Sequence, residues 1–463
     1  MSNKKHRVIL SVVLFIVILL ASTAVKAADS DLKKLFTTGL DNNLDIVKLE
    51  NEISTLKRNL QLNKARTDWQ VDVGVNKLIV EDDSPVSMNS DKIDLSTNKN
   101  FLNDKINFST NASYDFDGTE IIYGVNLNIN LFPNIPSKSI KNLMNLNNQL
   151  NTKLKELYSK KAKLVKDWLE KYLQLVNLDE NIDILNQRLK IAKDNYTEIQ
   201  QSIEIDEAGQ QKLWEAELIL KDAEYNLTDS HQQFNQLKKT LLVALQLDQE
   251  TELILNRDDS ILIKLRELTE VVNIDNIDRE QILAQIVKTS SQFAANVSQN
   301  EYLKQELKWL KKEEAPEITL QNNYNSEREF SATLNVNYNL FDSGIQDMQK
   351  ENKRLEIVNN EITFEQLYEQ STNRLDNIIN QIELANLNLK RKQLKYDKAV
   401  HNSLIASRQY EAGAVEKEVL KNSLLSENSS LAALNGAYDN VFLNKLDILI
   451  LTQPDEIIKE VTK

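Results

Sequence analysis

One run of apolar residues limits what this chain can become. Leu150, Leu154, Leu157, Leu164, Trp168, Leu175, Leu178, Ile182, Leu185, Leu189, Ala192, Tyr196, Ile199 and Ile203 follow one another in alternating steps of four and three, and only Lys161 and Lys171 break the series. That rhythm is coiled-coil packing. A helix from Ser137 to Ala208 would be about 110 Å long at 1.5 Å per residue, whereas a compact chain of this size measures about 60 Å across. The expectation is a rod. Only 8 Gly and 5 Pro occur in 463 residues, and the prolines (Pro85, Pro133, Pro136, Pro316, Pro454) fall outside the long helical stretches, as unbroken helices require.

The plan is used twice. Gly124-Val125-Asn126-Leu127-Asn128-Ile129-Asn130-Leu131-Phe132 matches Thr333-Leu334-Asn335-Val336-Asn337-Tyr338-Asn339-Leu340-Phe341, and each phrase runs into a long helix. Those helices reach Glu207-Ala208-Gly209 and Glu411-Ala412-Gly413. The offsets agree, 209 residues from Phe132 to Phe341 and 204 from Gly209 to Gly413. In the second copy Tyr368, Leu375, Ile378, Ile382, Ala385, Leu389, Tyr396 and Ala399 keep the heptad. Shorter helices are expected over 30–66, 210–246, 278–314 and 414–450, with the two glycines as reversal points where the chain turns back.

The division expected is a signal peptide over 1–27, a first repeat over 28–246, a connecting segment over 247–277, a second repeat over 278–451 and a tail over 452–463. The first 27 residues read as an export signal, with Lys4, Lys5 and Arg7 before an apolar run from Val8 to about Ala24 and a cut after Ala27. An uncleaved anchor is the alternative. Cleavage removes four basic residues and moves the formal charge from −13 to −17, which argues against nucleic acid as a partner. The absence of cysteine excludes disulfides, thiolate metal sites and a lipidated N-terminal cysteine.

Ahead of each long helix the side chains alternate strictly. Asn126, Asn128 and Asn130, and likewise Asn335, Asn337 and Asn339, oppose apolar neighbours, so each strand has a greasy side and an amide side. A half-buried sheet in a soluble domain would alternate in the same way. Strand lengths of about 9 to 11 residues and an uncharged polar face suit a membrane barrel with a wet lumen. The expected pairs are Trp69 to about Val80 with Ile121 to Phe132, and Pro316 to Asn325 with Phe330 to Phe341. Residues 81–120 read as an exposed loop, with Ile106-Asn107-Phe108-Ser109 a candidate extra strand. Four strands cannot close, and open edges cannot sit in lipid, so several chains must share one sheet.

Leu340-Phe341-Asp342-Ser343-Gly344, Tyr410-Glu411-Ala412-Gly413 and the doubled plan make the chain resemble the TolC family of outer-membrane efflux and secretion channels over nearly its whole mature length. The resemblance implies a mostly helical fold with a minor β part, the long antiparallel coiled-coil helices of two internal repeats being joined to four strands per chain. It further implies a homotrimer whose strands close a twelve-stranded β-barrel in the outer membrane, a helical periplasmic tunnel and a small equatorial domain. The implied partners are a periplasmic adaptor protein and an inner-membrane pump, and the implied tip lies around Gly209 and Gly413. Acidic residues after the second reversal line the tip in that family. Here Glu418 stands one residue nearer the glycine, Lys421 takes the place of a second acid, and Glu215 is the counterpart in the first repeat. Solvated helix faces are the plain alternative for Glu215 and Glu418.

No catalytic, cofactor or metal motif is present. The histidines (His6, His231, His401) are scattered, and no phosphate loop, nucleophile elbow or dinucleotide fingerprint occurs. The expected role is a passive duct and not an enzyme. The competing class is a cell-envelope coiled-coil scaffold or adhesin without a pore.

Overall fold

A computed structural model describes residues 32–66, 68–76, 92–101, 104–115, 121–202, 207–272 and 278–462. The expected signal peptide lies outside them. In chain order the elements are α1 (Leu32–Asn42), α2 (Leu44–Arg66), β1 (Gln70–Asn76), β2 (Lys92–Phe101), β3 (Ile106–Asp115), β4 (Ile121–Phe132), α3 (Lys138–Ser202) and α4 (Glu207–Ala244). There follow α5 (Ser260–Glu270), α6 (Arg279–Thr289), α7 (Ser291–Glu313), β5 (Glu317–Asn325), β6 (Arg328–Asn337), α8 (Ile345–Glu411), α9 (Lys417–Thr452) and α10 (Pro454–Thr462). The chain is mostly helical, with one antiparallel sheet. No described helix is long and apolar enough to cross a membrane.

The long helices α3 and α8 run for 65 and 67 residues. Along α3 Trp168, Leu175, Ile182 and Ala192 are buried and the other described heptad positions are half-buried; Ile203 lies outside the described residues. In α8 the same holds from Leu375 to Ala399, while Tyr368 is exposed. The short helices differ in one respect. The first and third are each broken once, at Asn43 and at Ser290, both residue types favoured at helix starts. Asn43 caps α2, its Oδ1 accepting from the N–H groups of Asp45 (3.1 Å) and Ile46 (3.2 Å).

The chain divides into two compact units. The first holds Met1–Val47, Tyr158–Arg279 and Leu375–Lys463, and the second Lys48–Leu157 and Glu280–Arg374. In the first, Leu32, Phe36, Trp168, Leu241, Leu245, Ile261, Leu265, Leu446 and Ile457 form a core with almost no exposure, and Phe36 and Trp168 meet with ring centroids 5.9 Å apart. The segment 247–277, expected as a connector, contributes α5. The segment 452–463, expected only as a tail, carries α10 and buries Pro454, Ile457, Ile458 and Val461. Its proline opens the helix, where a missing N–H costs nothing.

Ion pairs fasten α5 and the turn before it in this unit. Asp439 of α9, 3% exposed, accepts from Arg257 Nη1 at 2.5 Å and Arg266 Nη2 at 3.0 Å. Arg257 also donates to Glu180 at 2.9 Å and Asn177 at 2.7 Å on α3. Two guanidinium groups thus converge on one buried carboxylate. Asp439→Ala should therefore lower stability by about 3 kcal/mol, because both arginines lose that acceptor. A urea midpoint unchanged from wild type would contradict this account.

The second unit holds the sheet, where the expected four strands are corrected to six. The order is β1-β2-β3-β4-β5-β6, every neighbour antiparallel. β1 does not pair with β4, as expected from the sequence, but with β2; β4 pairs with β3 and β5. The segment read as a loop supplies both added strands, and the candidate at Ile106 is the start of β3. The second-repeat strand also ends earlier, at Asn337, and Asn339 leaves the sheet: its Oδ1 accepts from the N–H of Phe341 at 3.2 Å.

Candidate functional site

The register of the ladders gives the sheet two unlike faces. On one side Asn98, Ser109, Asn126 and Asn323 lie in one row across β2 to β5, and Asn100, Asn107, Asn128 and Gln321 in the next. Asn335 of β6 continues this face opposite Thr319, and Asn337 opposite Glu317. Five of the six asparagines singled out from the sequence therefore share one surface, and Asn339 does not. Amide side chains bond across it: Asn107 Nδ2 donates to Asn98 Oδ1 (2.8 Å) and to Asn100 Oδ1 (2.6 Å). Asn130 Oδ1 is buried on the same face with no partner among the described residues, an acceptor suited to water.

The opposite face is apolar. Val73 and Leu95 pair across β1 and β2, Phe108 and Leu127 across β3 and β4, and Leu320 and Leu334 across β5 and β6. Val73 is 66% exposed and Leu334 60%, which is far from how such residues sit in a soluble core. Aromatic groups mark both ends of this face. Where the chain enters from α2, Trp69 meets Phe101 and Phe108 edge to face at 6.3 and 6.1 Å, and Lys99 lies 5.2 Å from the Trp69 ring while paired with Asp68 at 2.9 Å. Toward the other end Tyr123 and Tyr324 stand 6.1 Å apart. Aromatic girdles with a stem-buried lysine are the pattern of a membrane interface.

Gly124 is set by close packing on the amide face. A Cβ there would lie 2.6 Å from Asn111 Oδ1 and 3.2 Å from the backbone oxygen of Tyr324.

The exit from the sheet is a tight turn. Ser343 and Gly344 both have positive φ (59° and 78°), and the Asp342 carboxylate accepts from the N–H groups of Gly344 at 3.0 Å and Gln346 at 2.9 Å, starting α8. Those bonds, Gln346 first, hold the Asp342 carboxyl below its usual range.

The two glycines expected at the tip, both in the first unit, behave differently. Gly413 has φ +70°, its N–H bonds to the Tyr410 carbonyl at 2.9 Å, and the N–H of Ala414 reaches the Gln409 carbonyl at 2.8 Å. This is the paired closure in which glycine ends a helix in the left-handed region. Gly209, by contrast, is the third residue of α4, so the reversal expected at it is corrected; residues 203–206 lie outside the described residues.

Of the acidic candidates, Glu418 lies in the first turn of α9 and accepts from Asn195 Nδ2 of α3 at 3.3 Å, while Lys421 pairs with Asp194 of α3 at 3.0 Å. Both tie α9 to α3. Glu215 accepts from Gln211 one turn away on its own helix at 3.2 Å. Glu418 also lines a cavity of about 610 Å³ among α3, α4, α8 and α9, together with Arg188, Asp222, Lys392 and Lys395. No group of three or more His, Cys, Asp or Glu could hold a metal ion among the described residues.

Two outcomes follow from these turns. Gly413→Ala should cost about 1 kcal/mol, since nothing lies within 4 Å of an added Cβ and the penalty is backbone strain alone; an unchanged melting temperature would refute it. The depressed Asp342 carboxyl contributes stability that is present above the ordinary aspartate value and lost as pH falls below about 4. The gap in melting temperature between wild type and Asp342→Ala should shrink there, and a gap independent of pH from 3 to 7 would contradict the capping account.

No protein-family model matches the chain, and no curated protein matches its sequence. Solved structures do. The open state of the MtrE outer membrane channel of Neisseria gonorrhoeae aligns with a TM-score of 0.56 at 10% identity, over 91% of this chain and 88% of that one. The CmeC outer membrane channel of Campylobacter jejuni aligns at 0.54 and 12% identity, over 94% and 90%. The outer membrane protein VceC of Vibrio cholerae aligns at 0.53 and 10%, over 91% and 96%. This chain therefore has the fold of these outer-membrane proteins, the fold that the resemblance to the TolC family implied.

Proposed function

We propose that the chain is one subunit of a passive outer-membrane channel, exported by its leader, in which three copies close their sheets into a single β-barrel. The observation that carries this reading is the sheet itself: one amide face, one apolar face ringed by aromatics, and two edges, β1 and β6, that pair with nothing among the described residues. In lipid each unsatisfied backbone group on those edges would cost several kcal/mol. Six is an even number, so β1 leaves the helices and β6 returns to them, and the β6 edge of one copy meets the β1 edge of the next antiparallel. Closure by identical copies satisfies every edge.

The helices offer matching surfaces. Trp214, Leu218 and Tyr225 of α4 are 63, 62 and 71% exposed, and Leu384, Leu387 and Leu394 of α8 are 66, 62 and 71% exposed, at spacings close to a heptad seam. Contacts between copies would bury them. In this assembly the two repeats, 28–246 and 278–451, joined by 247–277, supply the periplasmic tunnel wall, and the amide face, with Asn126, Asn128, Asn130, Asn335 and Asn337, lines the barrel lumen. Gly413 and Glu418, with Gly209 and Glu215 of the first repeat, belong to the tip that meets a periplasmic adaptor protein and an inner-membrane pump. The chain would then be the exit duct of a tripartite efflux or type I secretion system, energised elsewhere.

The mature protein should purify from detergent as a trimer and conduct ions in planar bilayers. Because the chain has no cysteine, disulfide pairs can be placed without background. A panel joining Val71, Val73 or Val75 in β1 to Ala332, Leu334 or Val336 in β6 should yield covalent dimers and trimers from the best-registered pair. Folded oligomers that never conduct, or a panel that gives only monomers, would end this reading.

A further inference from the structure

The strands β2 and β3 have no place in a four-strand plan, and they could in principle lie against the barrel as a flap. Their side chains argue otherwise. Each has 10 residues, and β2 and β3 pair without a bulge from Lys92↔Asp115 to Phe101↔Ile106. β2 is hydrogen-bonded along its other side to β1, and β3 to β4. Ser96 and Asn98 face the same way as their partners Asn111 and Ser109, which in turn sit opposite Gly124 and Asn126 of β4. Leu95 and Ala112 lie on the other side with Val73 and Tyr123. The hairpin is in phase with its neighbours on both faces, which a flap outside the wall would have no reason to be.

We propose that β2 and β3 are wall strands whose residues Ser96, Asn98, Asn100, Asn107, Ser109 and Asn111 line the lumen, so that the channel carries eighteen strands and a wide bore rich in amides and hydroxyls. The inference rests on the channel reading above and takes its three copies from it. Eighteen strands spaced about 4.8 Å apart and tilted about 40° close to a backbone diameter of about 36 Å, against about 24 Å for twelve. That is the size class in which barrels hold open water instead of being filled by their own side chains. The six named residues carry no charge, while Lys92 and Asp94 share their face farther along β2 and bring one charge of each sign.

Single cysteines and a charged, membrane-impermeant thiol reagent test this on the assembled protein in lipid vesicles. Ser96→Cys, Ser109→Cys and Asn111→Cys should react at least tenfold faster than Leu95→Cys and Ala112→Cys, matching the contrast between Asn126→Cys and Val125→Cys in β4. If β4 keeps its contrast while β2 and β3 react equally on both sides, the hairpin is not in the wall and the proposal falls, with the channel reading intact. If β4 also loses its contrast, the channel reading fails as well. End-on projection images of the unmodified complex give an independent measure: a barrel about 36 Å across supports eighteen strands, and one about 24 Å across overturns them.

Discussion

An edge strand in lipid has nowhere to send its N–H and C=O groups, and the assembly proposed for this chain rests on that constraint. Six strands in one open sheet leave two such edges, with exposed apolar side chains such as Val73 and Leu334 on the face between them. In a soluble protein water would satisfy such edges, or a helix or loop would cover them. Here the described strands set a largely apolar face, broken at Thr97, Lys99 and Asn322, against a largely amide one, the pattern of the wall between lipid and water proposed above. If that face meets lipid, as proposed, the alternation calls for a closed sheet in which further copies supply the partners of β1 and β6.

The helical part answers a different requirement. Helices of 65 and 67 residues need an end and a point of attachment, since heptads alone specify neither. At Gly413 the end is a backbone device, two carbonyls satisfied by a residue in the left-handed region. Attachment in the first unit is made by the Asp439, Arg257 and Arg266 cluster and by the α1, α5 and α10 core. A buried carboxylate shared by two arginines is weak as a source of net stability, yet it is demanding about geometry. It holds the turn before α5 to α3 and α9 in one arrangement, and Tyr172 does the same by accepting from the N–H of Asn256 at 2.8 Å.

Where reading the sequence succeeded and where it failed follows the strength of the periodic signal. The long helices were legible because heptad leucines persist for many turns, and β4 because asparagine alternates with apolar residues without a break. In β2 the same alternation is interrupted on its apolar side by Thr97 and Lys99, so Asp94, Ser96, Asn98 and Asn100 read as loop polarity, although they occupy every second position. Lys99 is tolerated there because Asp68 and the Trp69 ring receive its head at the end of the face. Gly209 misled for another reason: a repeated phrase can sit in a turn in one copy and inside a helix in the other. α10 was missed because nine residues are too few for a period to establish itself, and only its buried Ile457, Ile458 and Val461 reveal it.

The β2–β3 hairpin also bears on which changes the proposed shared wall would tolerate. Four strands precede α3 and two precede α8, yet both groups return the chain to a long helix in the same direction, because each holds an even number. A single extra strand would reverse every element after it and make the closing edges parallel. Paired insertion preserves direction, alternation and edge complementarity, changing only the circumference. The proposed wall would constrain pattern much more than identity: any apolar residue would serve on the lipid side, any small amide or hydroxyl inside, any leucine-like residue in a seam. Identities of 10–12% alongside alignments that cover more than nine-tenths of the chain are what that kind of constraint produces.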